Sequence, residues 1–141
     1  MKLSRTVAYA VRATLQLAKS DATTPVPCSQ LAAEGNMPER FLLQILRSLV
    51  THGILRSTRG VDGGYSLVRP PQEVSLLEVI EAIEGPLNTG EPTAEGMSES
   101  TQAALQQALR SVTDNSRRQL EAIKLSQLLQ PPSDQETEAT A

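Results

Sequence analysis

Aromatic residues are scarce. The 141 residues hold two tyrosines, Tyr9 and Tyr65, one phenylalanine, Phe41, and no tryptophan. Three scattered rings give no platform for stacking single-stranded bases and no cage for a quaternary cation. A single histidine, His52, and a single cysteine, Cys28, leave most enzyme mechanisms without their usual groups. One thiol excludes an intrachain disulfide framework and a cysteine-rich zinc site, and it agrees with a reducing compartment. No apolar run approaches the ~18 residues of a membrane span. The first 25 residues carry Arg5 and Arg12 inside their apolar part and have no continuous apolar stretch of the signal-peptide kind. A cytoplasmic protein without membrane association is expected, of about one domain by length.

The formal net charge is -3, and it hides a strong asymmetry. Residues 1–70 hold nine Lys and Arg against four acids, a net of +5; residues 71–141 hold four against twelve, a net of −8. The first half can face a polyanion, although a basic segment is also compatible with an ordinary solvated surface.

Apolar residues Leu3, Val7, Ala10, Val11, Leu15 and Ala18 recur at mostly three and four, the spacing of one helical face, with Thr14 the polar exception. The spacing predicts a first amphipathic helix ending near Ser20. Ser29 is a candidate N-cap for a short second helix over 30–34, closed by Gly35. Pro38 suits the first turn of a third helix, whose stripe is Phe41, Leu42, Ile45, Leu46, Leu49 and Val50 and which stops at His52-Gly53. Two short helices joined by a Gly-Asn turn have the proportions of a helix-turn-helix. The period then changes. Residues 54–58 and 65–69 are β-prone runs around Arg59-Gly60-Val61-Asp62-Gly63-Gly64, a hairpin with a basic, glycine-rich tip. Ser75 caps a fourth helix bearing Leu76, Leu77, Val79, Ile80 and Ile83 and ending at Gly85-Pro86. Residues 87–100 are loop by composition. Leu105, Leu109, Val112, Ser116, Leu120 and Ile123 then outline a long helix whose seam needs a second apolar surface; the same helix of another protomer is the simplest one. Leu125, Leu128 and Leu129 mark a short terminal helix, and the remaining tail is polar, Pro-containing and expected to be disordered.

Arg40, Gln44 and Arg47 step by four and three, so one helical face presents three polar side chains to base edges or phosphates of a major groove about 12 Å wide. The hairpin tip with Arg59 is suited to a close approach to the minor groove. Three other features admit plain readings. Cys28 stands near a helix N-terminus, which suits either a redox-sensitive thiol or a small buried hydrophobe. His52 suits a partner for a helix C-terminus or a phosphate. Glu78, Glu81 and Glu84 read as a solvated face, since no nucleophile or phosphate loop accompanies them.

Several segments together resemble a known family. They are Leu3-Ser4, Tyr9-Ala10-Val11-Arg12-Ala13, His52-Gly53-Ile54-Leu55, the wing from Ser57 through Arg59-Gly60-Val61-Asp62-Gly63-Gly64-Tyr65 to Leu67, and Val74-Ser75-Leu76 through Glu84-Gly85-Pro86. Over about residues 1–130 the chain resembles the Rrf-two (Rrf2) family of bacterial winged helix-turn-helix transcription regulators, the group of the iron-sulfur cluster regulator and the cysteine-metabolism repressor. The resemblance implies a mainly α fold with a small β-hairpin. A winged helix-turn-helix DNA-binding domain would span 1–86, an effector-region loop 87–100, a dimerisation helix with a short terminal helix 101–130, and a disordered tail 131–141. It implies no enzyme activity but a homodimer on a palindromic operator in double-stranded DNA, acting as a repressor. The residues expected to face DNA are Ser29 and Gln30; Pro38, Glu39, Arg40, Leu43, Gln44 and Arg47; and Arg56, Arg59, Gly60, Gly63, Gly64 and Tyr65. Leu105, Leu109, Val112, Leu120 and Ile123 are expected at the dimer seam.

Two departures from the family pattern matter. Its sensors carry three cysteines before the long helix, whereas residues 86–100 here contain neither Cys nor His. A cluster needs thiolate or imidazole ligands, so no metal and no cofactor is expected. Leu43 stands where relatives often carry Glu, so apolar contact, for instance with a thymine methyl, replaces hydrogen bonding to cytosine. Two other classes stay open. One is a winged-helix module that docks a protein corepressor; the other is a sensor whose small-molecule effector binds at the dimer interface or in the 87–100 loop.

Overall fold

A computed structural model of the chain describes residues 2–20, 24–88 and 96–129. The loop expectation for 89–95 and the disordered tail expected for 131–141 lie outside the described residues. The elements in chain order are α1 (Arg5–Lys19), α2 (Cys28–Gly35), α3 (Glu39–Thr51), β1 (Leu55–Thr58), β2 (Gly64–Leu67), a 3-10 turn (Pro71–Glu73), α4 (Leu76–Glu84), α5 (Glu99–Ala122) and α6 (Leu125–Leu128). This is a mainly helical fold with one antiparallel hairpin, in register Leu55↔Leu67, Arg56↔Ser66, Ser57↔Tyr65 and Thr58↔Gly64.

Helix α1 is the spine. Val7, Ala10, Ala13, Thr14 and Leu17 are its buried face, and α2, α3, α4, α6 and β2 all pack on it. Thr14 is tolerated there because its hydroxyl donates to Val11 O at 2.8 Å, leaving no unpaired donor. The helix begins later than the apolar stripe suggests. Ser4 is the N-cap and accepts from Val7 N at 3.2 Å, which leaves Leu3 outside the helix and 45% exposed.

Helix α2 differs from expectation at both ends. Pro27, not Ser29, occupies the N-cap position, and Ser29 lies inside the helix. At the other end Asn36, not Gly35, turns the chain, with φ 54° and ψ 53°. Asn tolerates this left-handed conformation better than other side chains. Met37 N donates to Ala32 O at 2.8 Å and Asn36 N to Ala33 O at 3.4 Å, and buried Met37 seals the turn in the core cluster that also holds Leu31. In α3, Leu42, Ile45, Leu46 and Leu49 are buried, but Phe41 is 37% exposed rather than a core residue.

The C-terminal region returns to the first one. Leu76 N donates to Ile123 O at 2.8 Å and Leu125 N to Val74 O at 2.9 Å, a short β-like crossing around Ser75 and Lys124. Leu120 packs with Val7, Leu77 and Ile80, and Leu125 is fully buried in the main core. Residues 120–125 thus belong to the same packed body as the helix-turn-helix. The carboxylates of α4 are not a simple solvated face either. Arg69 ion-pairs with Glu78, and Arg117 with Glu81, tying the wing's exit and α5 to α4. Leu87 N also donates to Glu81 Oε2 at 2.7 Å, fixing the start of the following loop. Only Glu84 of the three is exposed.

If Leu125 closes this core, Leu125→Ala costs about 2–5 kcal/mol, the range for emptying a buried leucine site. Chemical denaturation followed by circular dichroism measures it; a loss below about 0.5 kcal/mol would contradict the packing.

Candidate nucleic-acid interface

The outward face of α3 lies opposite its buried stripe. Arg40, Gln44 and Arg47 are all exposed there, one helical turn apart. Gln44 also borders a small recess of about 140 Å³ with Thr6, Phe41, Ile45, Ser48 and Ile83. Leu43 is half-buried at the margin of this face. Pro38 and Glu39 are exposed at its N-terminal end, where Glu39 meets the positive end of the helix dipole. On α2, Ser29 and Gln30 are exposed, and the Gln30 amide donates to Glu34 Oε1 at 3.0 Å.

The wing is set by a close crossing. Val26 and Tyr65 exchange two main-chain hydrogen bonds, Val26 N to Tyr65 O at 2.9 Å and Tyr65 N to Val26 O at 2.8 Å. A Cβ on Gly64 would stand 2.4 Å from the Val26 carbonyl carbon and 2.5 Å from its oxygen. Gly64 also has φ 154°, so glycine is required there by the passing chain rather than by approach to DNA. Gly63 is required by its own turn, since a Cβ would lie 2.2 Å from Thr58 O. Tyr65 likewise is a foundation residue, half-buried and packed on the main core. These three positions shape the wing from within. Arg59 and Gly60 remain exposed at the tip, while Arg56 lines a recess of about 310 Å³ at the wing's root with Leu17, Ala18, Leu67, Val68, Arg69, Pro70 and Pro71.

Among the described residues no ion pair engages Arg40, Arg47, Arg56 or Arg59, whereas Arg69 and Arg117 are both paired. Four of the cations free of an ion pair therefore lie on α3 and the wing; exposed Arg5 and Lys19 on α1 and Arg110 and Arg118 on α5 are likewise without one among the described residues. His52 caps α3 at its C-terminus and its Nδ1 is 2.9 Å from Ser48 O, the helix-end role expected of it. The Cys28 thiol donates to Glu39 O at 3.6 Å and is half-buried. Burial first, and the Glu39 charge second, push its pKa above the ordinary thiol value, the opposite of an activated cysteine.

Sequence reasoning missed Val26, whose pairing with Tyr65 is long-range and leaves no local pattern. It also missed the contacts of Arg12, Tyr9 and Phe41. Arg12 Nη1 donates to Gly35 O at 2.8 Å, its guanidinium lies 5.7 Å from the Tyr9 ring centre, and Tyr9 meets Phe41 edge-on at 5.8 Å. The spacing of Arg12 and Gln16, four apart on α1, was the one signal available.

A helix-turn-helix and a basic hairpin fixed on one helical scaffold define the winged-helix class of fold. Comparison with known proteins agrees. Residues 3–131 match the family model Rrf2, described as an iron-dependent transcriptional regulator, and the chain belongs to that family. It is 45% identical over 87 residues to a protein of Mycobacterium tuberculosis named as an HTH-type transcriptional regulator; the match covers 62% of this chain and 54% of that relative, so the chain spans about half the relative's length. It is similar to the HTH-type transcriptional regulator CymR of Bacillus subtilis, 31% identical over 88 residues, covering 62% of this chain and 64% of the other. The structure of Staphylococcus aureus CymR in its oxidized form superposes with a TM-score of 0.70 at 27% identity, covering 93% of this chain and 98% of the other.

The family description names iron, and this chain's donors do not fit it. Among the described residues no three His, Cys, Asp or Glu side chains gather as a metal site. Cys28 sits at the start of α2 and His52 at the end of α3, and these are the chain's only thiol and imidazole. Two protomers bring two thiols, short of an all-thiolate cluster. Anaerobically purified protein is accordingly expected to hold no stoichiometric iron or acid-labile sulfide; cluster absorption abolished by Cys28→Ser would overturn this. The raised pKa makes a second prediction. Less thiolate is present at neutral pH, so Cys28 should alkylate with iodoacetamide more slowly than a small thiol at pH 7.5, and its rate should still be rising where the small thiol has levelled off. Alkylation as fast as the small thiol's at pH 7.5 would contradict it.

Proposed function

We propose that the chain is a sequence-specific regulator that binds a palindromic operator in double-stranded DNA as a homodimer and represses transcription. The observation that carries this reading is the exposed Arg40, Gln44 and Arg47 face on a scaffold that also fixes the wing bearing Arg59. In this reading α3 enters the major groove and the wing tip the adjacent minor groove. Arg40 and Gln44 read base edges, Arg47 contacts base edges or phosphate, and Arg59 senses the narrow, negative groove of A·T-rich sequence. Leu43 supplies apolar contact, and Ser29, Gln30, Pro38 and Glu39 border the approaching backbone. Arg56, at the wing's root, serves phosphate attraction rather than base reading. Family membership and the similarity to other regulators support the reading.

Dimerisation is assigned to α5. Leu105 and Leu109 are half-buried and Val112 is 56% exposed, leaving apolar surface from the helix's second turn to just past its middle. Leu120 lies within this chain's own core, and Ile123 is the half-buried C-cap, so the seam is shorter than the sequence periodicity implies and centres on Leu105, Leu109 and Val112.

The test is a pair of titrations on a selected operator and its single-base variants, at several salt concentrations. Arg59→Ala should weaken binding to all sequences. Arg40→Ala with Gln44→Ala should relax discrimination at particular base pairs, each good bidentate contact being worth about 1–3 kcal/mol. Unchanged affinity of Arg59→Ala for every sequence would sink the wing's role. Light scattering should show a dimer at micromolar concentration, and a folded monomer would contradict the assignment of α5.

A further inference from the structure

We propose that Arg12 is a positioning residue for DNA reading: it locks the turn between α2 and α3, and through Tyr9 and Phe41 the first turn of α3, without contacting DNA phosphate itself. The proposal deepens the reading of α3 as the recognition helix and rests on it.

The end of a helix leaves carbonyls without partners. Here the backbone of Asn36 and Met37 takes those of Ala33 and Ala32, and the next exposed one, Gly35 O, receives the Arg12 guanidinium. A cation at the negative end of the α2 dipole and a charge-assisted hydrogen bond act there together. One turn along α1, Gln16 Nε2 donates to Leu31 O at 3.3 Å, one turn back along α2. Two side chains four apart on α1 thus grip two carbonyls four apart on α2. The contact is tight. Gln16 Oε1 is buried without a hydrogen-bond partner among the described residues, and a Cβ on Gly35 would lie 2.9 Å from that oxygen and 3.4 Å from Arg12 Cδ.

The same guanidinium reaches α3 by a second route. It stacks on Tyr9, and the Tyr9 ring meets Phe41 at an interplanar angle of 77°. Phe41 adjoins Arg40 and precedes Gln44 by one turn. Its 37% exposure shows that core packing alone does not fix it, so the Tyr9 edge supplies the restraint. A shift of the α2–α3 turn would swing Arg40 and Gln44 away from base edges while leaving the protein's charge unchanged.

The experiment compares Arg12→Ala, Arg12→Lys and Phe41→Leu with the parent chain, each by titration on a selected operator and on unrelated duplex over a salt series, and by amide hydrogen exchange of the free protein. Lysine keeps the charge that a phosphate contact needs but lacks the planar fork and stacking surface. Expected for all three is about tenfold weaker operator binding, little change on unrelated duplex and an unchanged salt slope, with faster exchange at Met37 in both Arg12 variants. A salt slope lower by about one in Arg12→Ala, with equal loss on both duplexes and recovery by lysine, identifies a phosphate contact and overturns the proposal. Parent-like exchange at Met37 in both Arg12 variants overturns it as well. Should the parent chain itself fail to discriminate operator from unrelated duplex, the recognition-helix reading fails, and the exchange data still decide whether Arg12 holds the turn.

Discussion

Two main-chain hydrogen bonds between Val26 and Tyr65 hold the molecule's two working parts at a fixed distance. Val26 leads directly into α2, and Tyr65 lies in the strand descending from the wing tip. A hairpin of two strands is marginal by itself in water. Here it gains a third stretch of backbone, and the segment that starts the helix-turn-helix gains its only sheet-like support among the described residues. Gly64 is the position that permits this, because any side chain there would collide with the Val26 carbonyl. The wing glycines thus act first on the shape of the protein, and the spacing of wing and α3 is a consequence of that shape.

A second closure works from the other end of the chain. The crossing of 123–125 over 74–76 and the ion pair of Arg117 with Glu81 anchor α5 at its C-terminal end, while near its middle Val112 faces outward. A long helix rooted in the core at one end is a rigid lever rather than a tethered appendage. Movement of α5 against a second protomer would therefore be felt in α4, whose Glu78 holds Arg69 just beyond the wing. Packing thus connects the proposed association surface to the surface proposed to meet DNA.

The fold was legible in the sequence wherever local pattern decides it. The helical periods of α1, α3 and α4, the Ser75 cap, the glycine-rich hairpin and the long helix all follow from periodicity and turn chemistry, although the buried face of α1 is turned from the expected stripe, taking in Ala13 and Leu17 while Val11, Leu15 and Ala18 stay half-buried. What pattern could not give is pairing across the chain. Nothing local marks Val26 as a partner of Tyr65, Leu120 as a core residue of its own protomer, or Glu81 as the anchor of Arg117. Helix ends were displaced for specific reasons: Ser4 outcompetes Leu3 as the first determinant of α1, and Asn36 takes the left-handed position that Gly35 was expected to fill. At the site, Arg40, Gln44, Arg47 and Arg59 are exposed as expected. Gly63, Gly64 and Tyr65 lie in the same motif but serve the wing's construction, a distinction that only the surrounding backbone reveals.

The central claim is that α3 and the wing read one half-site together, and that a dimer repeats the reading about one helical turn away. Selection of binding sites from genomic DNA with the purified chain, followed by hydroxyl-radical footprinting of the recovered sites, tests it most directly. The account predicts a two-fold symmetric consensus, with protected backbone on both sides of each major-groove half-site and A·T-rich minor groove where the wings lie. Recovery of no common sequence, or of a site without symmetry and without minor-groove protection, would contradict it.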